Sequence, residues 1–209
     1  MRYVSLDLET SGPDPLRHQV LELAVVLEDT RCPLPLAELP SFRRLLRHSE
    51  ITGTAGALAL NARLLAELAA AQAGPAGAPE LPADSCSPAE VLPQLREFLR
   101  AQGYRPDAKD RVRFIMAGKN VASYDLLFLR QLPGWGTLLR SEPATLDPAV
   151  FYLNWHKDSR LPSLSICKAR AQLPDTAVAH EALADALDVV RLLRPFYQLP
   201  VYQQVRGDQ

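Results

Sequence analysis

Tyr3-Val4-Ser5-Leu6-Asp7-Leu8-Glu9-Thr10 is the stretch from which the fold can be read. Val4, Leu6 and Leu8 alternate with Ser5, Asp7 and Glu9, the period-two pattern of a β-strand with two unlike faces. Asp7 and Glu9 therefore emerge on one face. Two carboxylates so placed repel each other unless something positive lies between them. A solvated strand face is the bland explanation, and an Asp-x-Glu pair alone is a pattern that chance produces often.

The elements that follow this strand build an α/β order. Ser11-Gly12-Pro13-Asp14-Pro15 is a turn cluster. Val20 to Leu27 is almost continuously apolar, broken by Glu22, and predicts a buried second strand. A third, weaker strand is predicted around Phe42 to His48, and helical periodicity runs from Ala57 to about Ala73. Gly74 to Pro88 is rich in Pro, Ala and Gly and reads as a surface loop. Ser87-Pro88-Ala89-Glu90 has the form of a capping box with Pro at the first helical position, opening a helix to about Gln102. Val112 to Ala117 is a strand, Ala122 to Leu132 a helix, and Ala144 to Leu146 a short strand. Helices near Leu164 to Ala171 and Glu181 to Phe196 complete the pattern. The first three strands can form an antiparallel meander, and the later ones join through helical crossovers.

A chain of 209 residues suits one domain with a sizeable core. A net charge of −1 sets a condition on any polyanion partner: either the basic residues cluster locally or the grip is weak. A weak grip implies distributive action unless a protein partner tethers the chain. Cys32, Cys86 and Cys167 are odd in number and widely spaced, which argues against a disulfide framework or zinc knuckle and fits a reducing, cytoplasmic setting. The first strand begins at Tyr3, leaving no room for a signal peptide, and no apolar run approaches the ~18 residues of a membrane span.

Two further segments place an acid on an otherwise apolar face. On a helix, Asp125 shares its side with Val121, Phe128, Leu129 and Leu132. Asp185 shares its side with Ala182, Val189, Leu192 and Phe196, whereas Asp188 falls near the polar side and reads as solvated. A buried acid without a partner is heavily penalised. A shared cation explains four such acids together, and carboxylate oxygens are the hard ligands that Mg²⁺ or Mn²⁺ prefer. His180 stands before the last helix, where a histidine can be a capping or surface residue or can reach a reacting water. Asn61 falls among Leu58, Leu64, Leu65 and Leu68, so it is either a satisfied structural amide or a reader of a terminal nucleotide. Arg43-Arg44-x-x-Arg47 is either a phosphate contact or a solvated strand edge, with the edge favoured.

Taken together, Asp7-x-Glu9-Thr10, Asn120-x-x-x-Tyr124-Asp125 and His180-x-x-x-x-Asp185 resemble, in that order, the three motifs of the DEDDh-type (DnaQ-like) 3′–5′ exonuclease family. Each motif is weak alone, and the resemblance spans nearly the whole chain as a single exonuclease domain. It implies an RNase H-like α/β fold, a mixed five-stranded sheet flanked by helices, with the first three strands antiparallel. It also implies hydrolysis assisted by two divalent cations, Mg²⁺ or Mn²⁺, roughly 3.5–4 Å apart. Asp7, Glu9, Asp125 and Asp185 would be their ligands, with Asp7 shared, and His180 the general base. Thr10 is similar to the family residue that meets the terminal 3′-hydroxyl, and Asn120 and Tyr124 of the second motif would help to bind the substrate.

The sequence leaves DNA, RNA and short oligomers open as substrates, because no motif encodes the contact that reads a 2′-hydroxyl. A non-catalytic nucleic-acid-binding module on the same fold is the rival reading. Its mark would be a missing acid or histidine.

Overall fold

The computed structural model describes residues 1–72, 84–174 and 181–198. Six strands form one mixed sheet: β1 (Arg2–Thr10), β2 (Val20–Asp29), β3 (Ser41–Leu46), β4 (Ser85–Cys86), β5 (Val112–Ala117) and β6 (Leu139–Leu146). Their order across the sheet is β4-β3-β2-β1-β5-β6. β1, β2 and β3 make the predicted antiparallel meander, while β5 lies parallel to β1 and β6 parallel to β5. The sixth strand is the difference from the sequence reading. Ser85 and Cys86, assigned to the 74–88 loop, pair in parallel with Leu45 and Leu46. Two residues are too few to display a period. Residues 73–83 of that loop lie outside the described residues.

The helices are α1 (Ala55–Leu60), α2 (Ala62–Gln72), α3 (Pro88–Ala101), α4 (Asp125–Leu129), α5 (Leu164–Arg170) and α6 (Ala182–Gln198). The single helix predicted from Ala57 breaks at Asn61, which closes α1 with non-helical backbone. The helix expected from Ala122 to Leu132 is only α4, with Asp125 as its first residue. α3 starts as predicted: Glu90 accepts the Ser87 N–H at 2.8 Å.

β1 is covered on both sides, and this decides what its acids can be. Val4, Leu6 and Leu8 pack against Val91, Leu92, Leu95 and Leu99 of α3. The opposite side lies beneath α6, where the buried Ser5 hydroxyl donates to the Ala186 carbonyl at 2.7 Å. Tyr3 there joins Ala186, Val189 and Val190 in a second apolar cluster. The acidic face of β1 is thus not a solvated strand face.

The side of α6 away from the sheet is also less open than its sequence suggests. Asp188, expected in solvent, is 4% exposed because α5 packs against it. Its carboxylate meets Lys168 Nζ at 2.5 Å and Arg191 at 2.7 Å. Lys168 is itself buried, so removing its charge strands Asp188 in the interior with only a half-exposed arginine. Lys168→Met is expected to lower stability by about 3 kcal/mol in urea melts, and adding Asp188→Leu should restore most of it. No loss in the single variant would show that Arg191 alone carries the carboxylate.

Candidate active site

Three acids converge where β1 runs under the first turn of α6. Asp7, Glu9 and Asp185 each offer a carboxylate oxygen, and these oxygens lie within 4.8 Å of one another. Strand alternation places Asp7 and Glu9, and the start of α6 places Asp185 above them. The partial positive charge at a helix N-terminus favours an acid in that first turn.

Asp125 reaches the group from the other side of β1. Pairing between β1 and β5 stops at Ser5 and Ala117. The Leu8 N–H further along β1 needs another acceptor, and Asp125 Oδ1 takes it at 3.1 Å. Gly118 lets the chain leave β5 this close to β1. A Cβ there would stand 2.7 Å from the Leu6 carbonyl oxygen.

The electrostatics are those of acids crowded together. Burial, followed by Asp125, Asp185, Glu9 and Glu22, pushes the Asp7 carboxyl well above the usual range. Burial and then Asp185 and Glu22 raise Glu9 to about 7, while Asn61 pulls the other way. Asp125 is likewise pushed up to about 7, mainly by burial, against the lowering effect of its backbone hydrogen bonds. The donor set is all carboxylate oxygen, so it fits hard divalent cations rather than a soft metal.

The surrounding cleft, of about 370 Å³, is lined by Asp7, Glu9 and Asp185 together with Thr10, Asn61 and Tyr124. Thr10 Oγ1 and the Tyr124 hydroxyl lie 2.7 Å apart, and Thr10 Oγ1 also donates to the Gly12 carbonyl at 3.1 Å. Asn61 is buried and uses its amide nitrogen on the carbonyls of Thr10, at 3.3 Å, and Ala57, at 3.2 Å. Its Oδ1 has no hydrogen-bond partner among the described residues. That acceptor borders the cleft, where an incoming donor can satisfy it.

Asn120 does not join this group. It is exposed, adopts φ 59°, and lines a neighbouring cleft with Lys119. Its N–H goes to Asp147 Oδ2 at 2.9 Å. His180 lies outside the described residues.

Glu22 is the residue that sequence reasoning missed. It registered only as a break in an apolar strand, yet it is 1% exposed and sits directly opposite Glu9 in the β1–β2 pairing. Like charges opposed across strands destabilise a sheet, and two contacts answer the charge. Glu22 Oε2 accepts the Ala182 N–H at 3.1 Å, capping α6 three residues before Asp185. Its other oxygen pairs with Arg43, which also meets Asp84 at 2.9 Å. Arg43 is therefore not the solvated edge residue expected from its cluster. A lone acid in a doubly buried strand was the available signal, but nothing local names its partners.

No protein-family model matches the chain, and no curated protein matches it. Solved structures do. The nuclease domain of 3′hExo, described as a DEDDh family member bound to rAMP, is similar over 96% of this chain and 94% of its own, with a TM-score of 0.64 at 15% identity. The *S. pombe* protein Pop2p, in its Mg²⁺- and Mn²⁺-bound form, is similar over 96% of this chain and 84% of its own, with a TM-score of 0.56 at 13% identity. Cell-death related nuclease 4 (CRN-4) gives a TM-score of 0.55 at 14% identity, over 95% of this chain. The chain spans only 64% of CRN-4 and 43% of exonuclease I from Methylocaldum szegediense. These likenesses establish the fold, which is that shared by the solved structures just named, with one strand more than expected.

Raised carboxyls make the metal-free protein pH-sensitive. Glu9 and Asp125 hold protons up to about 7 when folded, whereas unfolded carboxyls release them near ~4. The folded state therefore binds more protons in between, and stability falls as pH rises through that window. In EDTA the melting temperature is expected to drop by roughly 5–10 °C between pH 5 and pH 8. Millimolar Mn²⁺ should remove the drop, and Asp125→Asn should flatten it. A calorimetric profile that is level in EDTA would contradict the crowding of these acids.

Proposed function

We propose that this chain is a metal-dependent 3′–5′ exonuclease. In this reading it hydrolyses the last phosphodiester bond of single-stranded DNA or RNA and releases nucleoside 5′-monophosphates. The observation that carries the reading is the meeting of Asp7, Glu9 and Asp185 within 4.8 Å, in a cleft open to a ligand. The fold supports it, since the solved structures that share the fold include several named as exonucleases or nucleases.

Two divalent cations, when bound, would supply Lewis acidity and lower the pKa of a water molecule. The chain's own residues then divide the remaining work. Asp7, Glu9 and Asp185, which meet within 4.8 Å, and Asp125 beside them would hold the cations, with Asp7 taken as the shared ligand. Their charges, costly while unpaired, become the source of affinity. Thr10, Tyr124 and Asn61, which line the cleft, are assigned to the terminal nucleotide, and Thr10 to its 3′-hydroxyl from its place in the first motif. His180, five residues before Asp185, is assigned as general base from its place in the sequence. Neutral imidazole is suited to accept a proton near neutral pH, whereas acids that ligate cations are poor acceptors.

The test uses a 5′-labelled single strand, with shortening followed under single-turnover conditions in Mg²⁺ or Mn²⁺. A ladder of labelled products shortened from the 3′ end is expected. His180→Ala should slow cleavage by ~10²–10⁴-fold and spare cation binding. Asp7→Asn should damage both, and a 3′-phosphate on the strand should block the reaction. Release of the label first, as a mononucleotide, would place the cut at the 5′ end and overturn the reading. Wild-type rates in His180→Ala would remove the histidine from the chemistry.

A further inference from the structure

Beside the acidic cleft lies a second one of about 680 Å³, and its charge is of the opposite sign. Lys119, Lys157 and Arg160 line it, with Ser159 and Ser163 between them. The two clefts share a turn. Tyr124 lines the acidic cleft, its N–H donates to the Asn120 carbonyl at 3.0 Å, and Asn120 and Lys119 line the basic one. Lys157 and Arg160 are exposed and form no ion pair among the described residues. Among the described residues Asp158 is the one acid lining this cleft, and it is already engaged: Arg170 grips both its oxygens, one at 2.7 Å, and holds the carboxyl down to about 2.

Trp155, two residues before Lys157, is 82% exposed. It rides on a turn that hydrogen bonds lock in place. Asn154 Oδ1 accepts the His156 N–H at 3.1 Å, Asp158 Oδ2 accepts the Asn154 N–H at 2.8 Å, and the Asn154 carbonyl accepts Lys157 N–H at 3.0 Å. A fixed turn that holds a large aromatic ring in water forgoes its burial. It makes sense as a platform on which something stacks. Lys119 is already paired with Asp147 at 3.6 Å, so the unpaired cations are Lys157 and Arg160. Unpaired cations near an exposed aromatic ring are the combination that binds single-stranded nucleic acid, through phosphates and base faces respectively.

We infer that this cleft and Trp155 carry the part of a single strand that lies 5′ of the terminal nucleotide. Its phosphates run against Lys157 and Arg160, and a base stacks on Trp155. The inference rests on the nuclease reading of the acidic cleft for the direction of the strand, and on the basic cleft alone for the contact. It also resolves how a chain of net charge −1 can hold a polyanion, since the cations are local.

The test compares the full chain with Lys157→Glu/Arg160→Glu, with Trp155→Ala, and with Arg105→Glu/Lys109→Glu. The last pair precedes β5, at the opposite end of that strand from Lys119, and matches the charge change. Binding of fluorescein-labelled dT12 is read by anisotropy in EDTA across a salt series. Hydrolysis in Mn²⁺ is read on strands of two to twelve nucleotides. The Lys157/Arg160 variant should bind dT12 about tenfold more weakly, with a salt slope shallower by roughly 1.4 from two lost phosphate contacts. Trp155→Ala should weaken binding at least about fivefold, and the Arg105/Lys109 control less than about twofold. The penalty in KM should shrink as the strand is shortened to a dinucleotide.

Equal losses in the cleft and control variants would reduce the effect to net charge and overturn the inference. So would displacement of dT12 by a poly-glutamate of matched charge as readily as by unlabelled dT12. If the wild type cleaves no substrate yet binds dT12 through Lys157, Arg160 and Trp155, the contact stands and the nuclease reading falls.

Discussion

Four carboxylates at the end of one strand repel each other, and much of the surrounding structure exists to hold them together against that repulsion. β1 is clamped by α3 on one side and α6 on the other. Asp125 is fixed by the Leu8 backbone, and Asp185 by a helix whose first N–H is held by Glu22. Glu22 adds yet another negative charge, and Arg43 compensates for it from β3. The arrangement spends stability on geometry, as sites built for charged ligands do.

The apolar clusters make this possible. One fills the α3 side of the sheet and a second the α6 side, with a third between β2, β3 and α2. Only a sheet packed on both sides can keep acidic groups out of water at its end while leaving them open to a cleft. The neighbouring basic cleft, by contrast, is built on loops and helix starts. There the cations need solvent, and the backbone is fixed by short turns rather than by packing.

Much of the plan is visible in the residues themselves. The alternation in β1 shows which side Asp7 and Glu9 occupy, and helical spacing puts Asp125 and Asp185 toward the interior. What escaped depends on partners distant in sequence. Glu22 looks like an interruption until Ala182 and Arg43 are seen beside it. Asp188 looks solvated because helical spacing says nothing of α5 lying across it. The break at Asn61 is hidden because its apolar neighbours continue the period on both sides, and Ser85–Cys86 is too short to have one. Asn120 shares a segment with Tyr124 and Asp125, but its left-handed backbone turns it to the other cleft.

The bond between Ser5 and Ala186 spans 181 positions of the chain. Asp185 lies far downstream of Asp7 in the chain, so a ribosome delivers it much later. Synthesis proceeds residue by residue, and early segments can fold while later ones are still being made. The acidic face of β1 must therefore wait, uncovered and lacking its last carboxylate, until α6 has left the exit tunnel and docked. The separation of these two residues in sequence thus keeps the three-acid group incomplete until both ends of this stretch have been made and α6 has folded over β1.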